Sequence, residues 1–131
     1  MKINFYRYEI LFVTLVILFG LILRGYNINL NDFWSDEMAS FYLSNPNLNF
    51  LETIKLIFES NMMVTYEITL KFFHKIFGYN FEYSRYLTLF FSIVSIFYFY
   101  KLIRNNKNYY SAILGIVLLS INIYHIRYSI E

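Results

Sequence analysis

Trp34-Ser35-Asp36-Glu37-Met38-Ala39-Ser40 sets two carboxylates side by side, just after the one tryptophan of the chain. A carboxylate held at a surface can take a proton from a hydroxyl as a general base, or can ligate a hard divalent cation. The same residues have a plainer use. Acidic side chains in a first helical turn satisfy free N–H groups and suit the helix dipole, and Trp is enriched where a chain meets the membrane interface. Arg85 and Arg127 carry the guanidinium fork that suits a phosphate, or else snorkel from the ends of apolar segments. His74 and His125 have no second histidine at ligand spacing, and read as an interfacial and a helix-end residue. Glu67 and Lys71 read as an exposed i, i+4 pair. The chain has no P-loop, no G-x-S-x-G elbow and no internal repeat.

The elements that must position these groups are set by lipid. Of 131 residues, 58% are hydrophobic and 15% charged, where a soluble domain carries about 25% charged residues. The net charge of +2 comes without any basic run, which excludes nucleic acid as a partner. The absence of cysteine excludes disulfides and thiolate metal sites. Three apolar stretches are long enough to cross a bilayer if their ends snorkel: Ile10 to Leu23 between Glu9 and Arg24, Tyr86 to Tyr100 between Arg85 and Lys101, and Asn108 to Ile126. With their flanks these give spans of about 9–25, 85–103 and 108–126. Lys2 and Arg7 before a short apolar run also resemble a signal peptide, but Leu23-Arg24-Gly25-Tyr26-Asn27 offers no small-residue cleavage pair.

Residues 26–84 form a long loop with helices of its own. Ser35 or Asp36 is expected to cap a helix that ends at Asn45-Pro46. Phe50 to Ser60 repeats apolar residues at helical spacing, with Asn49 as cap. Met62 to Phe77 is a 16-residue apolar stretch with Glu67, Lys71, His74 and Lys75 on one face. The segment is either a fourth span or an amphipathic helix lying in the interface; a charge at bilayer depth costs about 2.5–3.5 kcal/mol, which favours the interfacial helix. The N-terminus (Lys2, Arg7) and the short loop with Lys101, Arg104 and Lys107 then face the cytoplasm, as the positive-inside rule asks. The acidic loop lies on the outer face together with Tyr128 and Glu131. The expectation is an all-α, multi-pass protein of the cell membrane. It is a single module, 1–131, with about three transmembrane helices and amphipathic juxtamembrane helices in its first outer loop.

Four stretches, in this order, resemble a family. "LRGYNINL" (Leu23 to Leu30) resembles a pattern that closes a first span. Trp34 to Ser40 resembles W-x-D-E-A-x-S of a first outer loop. "FGYNFEYSR" (Phe77 to Arg85) resembles F-G-x-x-E-x-x-x-R, and "IRYSIE" (Ile126 to Glu131) the start of I-x-Y-S-Q-E-A-R-x-Y. The chain is similar to the N-terminal part of the polyprenyl-phosphate-sugar-dependent glycosyltransferases of the C-class fold, of the family 39 and dolichyl-phosphate-mannose–protein mannosyltransferase type. The resemblance implies Asp36 as catalytic base or metal-associated residue with Glu37 the adjacent acidic residue of the catalytic pair, Arg85 beside the lipid-phosphate sugar donor, and Tyr128 and Glu131 as substrate-binding residues. It names no cofactor and leaves a divalent metal open, with no ligand set. Two departures stand out. The Pro-containing H-P-P-L segment of the family is replaced here by Asn61-Met62-Met63-Val64-Thr65. The family also continues for several hundred residues of further spans, so the reading is of a segment that needs a C-terminal part, supplied by the same chain or by a partner subunit. A small membrane protein without enzymatic activity, acting as a docking or accessory subunit, is the alternative.

Overall fold

In a computed structural model of the chain, residues 2–26, 28 and 34–129 are described, with side chains from Arg7 onward. Every regular element among them is a helix: α1 Lys2–Gly25, α2 Ser35–Leu43, α3 Phe50–Glu59, α4 Val64–Phe77, α5 Phe81–Asn106, α6 Tyr109–Ile121 and α7 Ile123–Arg127. They fall into two compact units, one of Met1–Ile28 with Leu89–Ile130, the other built on Asn29–Thr88.

The first unit packs α1, the later part of α5, α6 and α7. Val13, Val16, Ile96 and Ile116 form its core. Close approach depends on two glycines. A Cβ on Gly115 would come within 2.4 Å of Ile103 Cδ1, and one on Gly20 within 3.2 Å of Ile96 and 3.3 Å of Arg24. Glu9 is buried, accepts from Arg104 Nε at 2.6 Å and also from the Tyr100 hydroxyl. Burial without these partners would be costly for a carboxylate.

Two helices are long and apolar enough to cross a membrane, over Arg7–Gly25 and Phe81–Asn106. The second is longer than the expected span of about 85–103: α5 starts at Phe81 and runs through Arg104 to Asn106. The expected span 108–126 is not one helix. α6 has 13 residues, about 20 Å at 1.5 Å per residue, short of a hydrocarbon core of about 30 Å. Asn122 interrupts it with extended backbone (φ −65°, ψ 118°) and caps α7 by accepting the N–H of His125 at 2.9 Å. An Asn side chain competes for backbone donors in this way, which is why it starts helices more readily than it continues them.

Arg24 does not snorkel. It is fully buried, and its Nη1 and Nη2 donate to the carbonyls of Ser120 (3.1 Å) and Leu119 (3.3 Å). They belong to the last turn of α6, where the helix runs out of backbone donors, and the Leu119 carbonyl also accepts the Asn122 N–H at 3.3 Å.

The second unit packs α2, α3 and α4 with the opening turns of α5. Phe41 is buried and stacks between Tyr79 and Phe81, whose ring centroids lie 4.1 and 3.6 Å away. Ile57 of α3 and Leu70 of α4 are fully buried. Asn49 caps α3 as expected by position, with its carbonyl accepting both the N–H and the hydroxyl of Thr53. Trp34, rather than Ser35 or Asp36, is the N-cap of α2. Gly78 closes α4 at φ 107°, a conformation that side chains disfavour.

The polar stripe of α4 reverses the expectation. Glu67, Lys71 and His74 are buried, while Phe72, Ile76 and Phe77 are exposed. Glu67 and Lys71 are not partners. Glu67 Oε1 accepts from Ser40 at 2.8 Å. Lys71 Nζ donates to the carbonyls of Asn45 (2.5 Å) and Leu48 (2.9 Å) and to Thr53 Oγ1 (3.0 Å). Three donors on one ammonium meet three acceptors, which ties the Asn45–Leu48 turn to α3. Periodicity places these groups on one face, and the turn's carbonyls draw that face inward.

Candidate active site at the start of helix α2

Asp36 and Glu37 fall in the first turn of α2, where free N–H groups and the helix dipole favour carboxylates. Their environments differ. Glu37 turns inward. Its Oε1 receives Arg85 Nε at 2.9 Å and its Oε2 receives Arg85 Nη2 at 2.9 Å, a two-pronged pair. Its Oε2 also accepts the backbone N–H of Trp34 at 3.0 Å, reaching back to the cap as a capping-box residue does. The side chains of Arg85 and Glu37 are 2% and 10% exposed. Asp36 stays exposed, with Ser35 Oγ 3.4 Å from its Oδ1.

Beside this pair the unit holds a buried polar layer. His74 lies between two serines, with Nδ1 3.1 Å from Ser44 Oγ and Nε2 3.0 Å from Ser84 Oγ. Ser44 gives its hydrogen to the Phe41 carbonyl at 3.0 Å, so His74 donates from Nδ1 and accepts from Ser84 at Nε2. Burial holds His74 below the usual histidine range. Burial pushes the Glu67 carboxyl up, partly offset by the hydrogen bond from Ser40, and its Oε2 has no partner. Lys71 is pulled down, again by burial first. None of this layer was assigned a role from the sequence. The only signal was the i, i+4, i+7 spacing of Glu67, Lys71 and His74, which fixes a common face and not its direction.

The structure thus brings Glu37 and Arg85 together and leaves Asp36 open. Tyr128 belongs to the first unit, where it is the C-cap of α7 and exposed. Glu131 lies outside the described residues, as do Leu30 of the first motif and Ile130 of the last. His125 stands in α7 and contacts Arg24 and Ser95. Among the described residues no three His, Asp or Glu side chains are grouped to hold a metal ion.

No family pattern matches the chain, and neither a curated protein nor a solved structure is similar to it.

Proposed function

We propose that this chain is the N-terminal module of a membrane glycosyltransferase that takes a sugar from a polyprenyl phosphate and passes it to an acceptor hydroxyl on the outer face of the membrane. The reading rests on the order of the four motifs. One structural observation carries it furthest: a buried Arg85–Glu37 pair stands beside an exposed carboxylate, Asp36, one residue away on the same helical turn. Asp36 accepts the acceptor's proton as the acceptor oxygen bonds to the sugar. The bond from the sugar to the phosphate oxygen breaks, and negative charge grows on the leaving phosphate. Arg85 supports that charge. Both oxygens of Glu37 are engaged, so Glu37 acts through Arg85 as a positioning residue. Tyr128 and Glu131 are assigned to substrate binding, and no step is routed through a metal.

In the same reading the chain crosses the bilayer at about 9–25, 85–103 and, through α6, the Asn122 break and α7 taken together, 108–126, with a cytoplasmic N-terminus, and the amphipathic helices of the first outer loop lie in the interface. The helices support this placement by how they divide their exposed surface. On α3, Leu51 and Phe58 are exposed on one side, and Lys55 and Glu59 on the next, where they form an i, i+4 pair at 3.8 Å. A helix lying in an interface has this division.

Asp36→Asn tests the site. Membranes carrying the chain with its completing C-terminal part are given polyprenyl-phosphate mannose labelled in the sugar. Loss of the general base is expected to slow transfer by about a hundredfold or more. Full transfer by the variant would remove Asp36 from the mechanism. Wild-type membranes that insert the chain and transfer nothing would favour the accessory-subunit reading.

A further inference from the structure

The hydrogen bonds around Arg24 run in one direction only, and they determine the state of a histidine. A guanidinium has five N–H donors and no acceptor. All five of Arg24 are used within the first unit. Nε donates to Ser92 Oγ at 2.9 Å, and Nη1 to the carbonyls of Gly20 (2.9 Å) and Ser120 (3.1 Å). Nη2 donates to the carbonyl of Leu119 (3.3 Å) and to Nδ1 of His125 (2.7 Å). Nδ1 must therefore offer a lone pair, and the proton of the neutral imidazole sits on Nε2. Nε2 donates in turn to Ser95 Oγ at 3.1 Å, and Ser95 passes its own hydrogen to the carbonyl of Ser92 at 2.7 Å. Each N–H of Arg24, the Nε2–H of His125 and the Ser95 hydroxyl finds an acceptor.

A proton on Nδ1 would undo it. Two N–H groups would face each other at the separation of a short hydrogen bond, each on a cation. Among the described residues no carboxylate is bonded to Arg24 or His125. The charged group facing His125 from another helix is Arg24 on α1. From α5 comes the Ser95 hydroxyl, and from the end of α6 the Asn122 side chain on the His125 backbone N–H. On α7 itself Arg127 lies two residues on.

We propose that His125 is a pH-operated latch: neutral, it is clamped by Arg24 and holds α7 against α1, and protonated at Nδ1 it releases α7. Tyr128, the C-cap of α7, moves with it. The device stands independently of the glycosyl-transfer reading. The clamp leaves no room for a proton on Nδ1, so by linkage the ratio of clamped to released protein falls as pH falls.

The chain has no cysteine of its own. Ile22→Cys on α1 and Tyr124→Cys on α7, both at exposed positions, can carry a pair of nitroxides on the full chain in phospholipid nanodiscs. Distance distributions are recorded from pH 8 to pH 5. A longer distance that grows on acidification, and is lost when His125→Gln is added, is the expected result. Glutamine can accept from Arg24 and donate to Ser95 without titrating. An unchanged distribution down to pH 5, or the same change in the His125→Gln background, overturns the latch. A second readout needs no variant to fold. In the ¹⁵N-histidine spectrum of the wild-type chain at pH 8, neither of the two histidines (His74 being the other) should be charged, and one must carry its proton on Nε2. If both carry it on Nδ1, the proposal fails.

Discussion

Glu37→Gln removes a charge and little else, since the amide keeps the shape of the side chain and an oxygen for the Trp34 N–H. The structure sets the size of the effect. Arg85 is 2% exposed and meets Glu37 through two contacts of 2.9 Å. Removing one partner from a buried pair costs about 3–5 kcal/mol, because the other charge stays buried. An exposed pair is worth about 0–1 kcal/mol. Glu37 is 10% exposed, and water at that edge places the loss near the lower bound, about 3 kcal/mol. Arg85→Gln removes the other partner. The double variant should lose less than the sum of the two, by about 1–3 kcal/mol. Trp34 is the one tryptophan and the N-cap of α2, so its emission follows this turn during unfolding in mixed micelles. A loss below about 1 kcal/mol for Glu37→Gln, the value for an exposed pair, would refute the argument. So would additivity within about 0.5 kcal/mol in the double variant.

The same unfolding assay, run across pH, should show two slopes of opposite sign. His74 is held low by burial, so the unfolded chain binds the proton more readily. Its contribution is present above about pH 6.5 and is lost as pH falls through that value toward the folded one. Glu67 is pushed up by burial, so its contribution is full below the ordinary carboxylate range and is lost as pH rises through the folded value. His74→Gln should remove the acid-side slope and Glu67→Gln the other, each at most about 1.4 kcal/mol per pH unit for one proton. Unchanged slopes in both variants would show that these groups are not buried as described. Nitroxides at positions 58 and 55 of α3 test the interfacial placement. Position 58 should meet dissolved oxygen more often and a nickel chelate less often than position 55, and equal accessibilities would argue against it.

The helices of the second unit were legible because caps and breakers are local. Asn49 before an apolar repeat and Asn45-Pro46 after one mark ends that neighbouring residues decide. The direction of a polar face is not local. Glu67, Lys71 and His74 were visible as a stripe, yet the groups that draw them inward are Ser40, the carbonyls of Asn45 and Leu48, and Ser44, all on other segments. Arg24 misled for the same reason. Snorkelling is the default for an arginine at the end of an apolar run, and its acceptors on Leu119 and Ser120 lie 95 and 96 residues away. In the candidate site, the adjacency of Asp36 and Glu37 was plain from the sequence. Their division, one exposed and one locked to Arg85, depends on a contact across 48 residues.

The interruption at Asn122 also bears on the order in which the chain is built. The carbonyls at the end of α6 are met by Arg24, a side chain made long before them during synthesis. Until α1 is in place these carbonyls have no such donor. The turn between α6 and α7 therefore settles on α1, and translation from the N-terminus delivers α1 before it. Were α1 supplied late, the turn would lack the Arg24 donors while it waited.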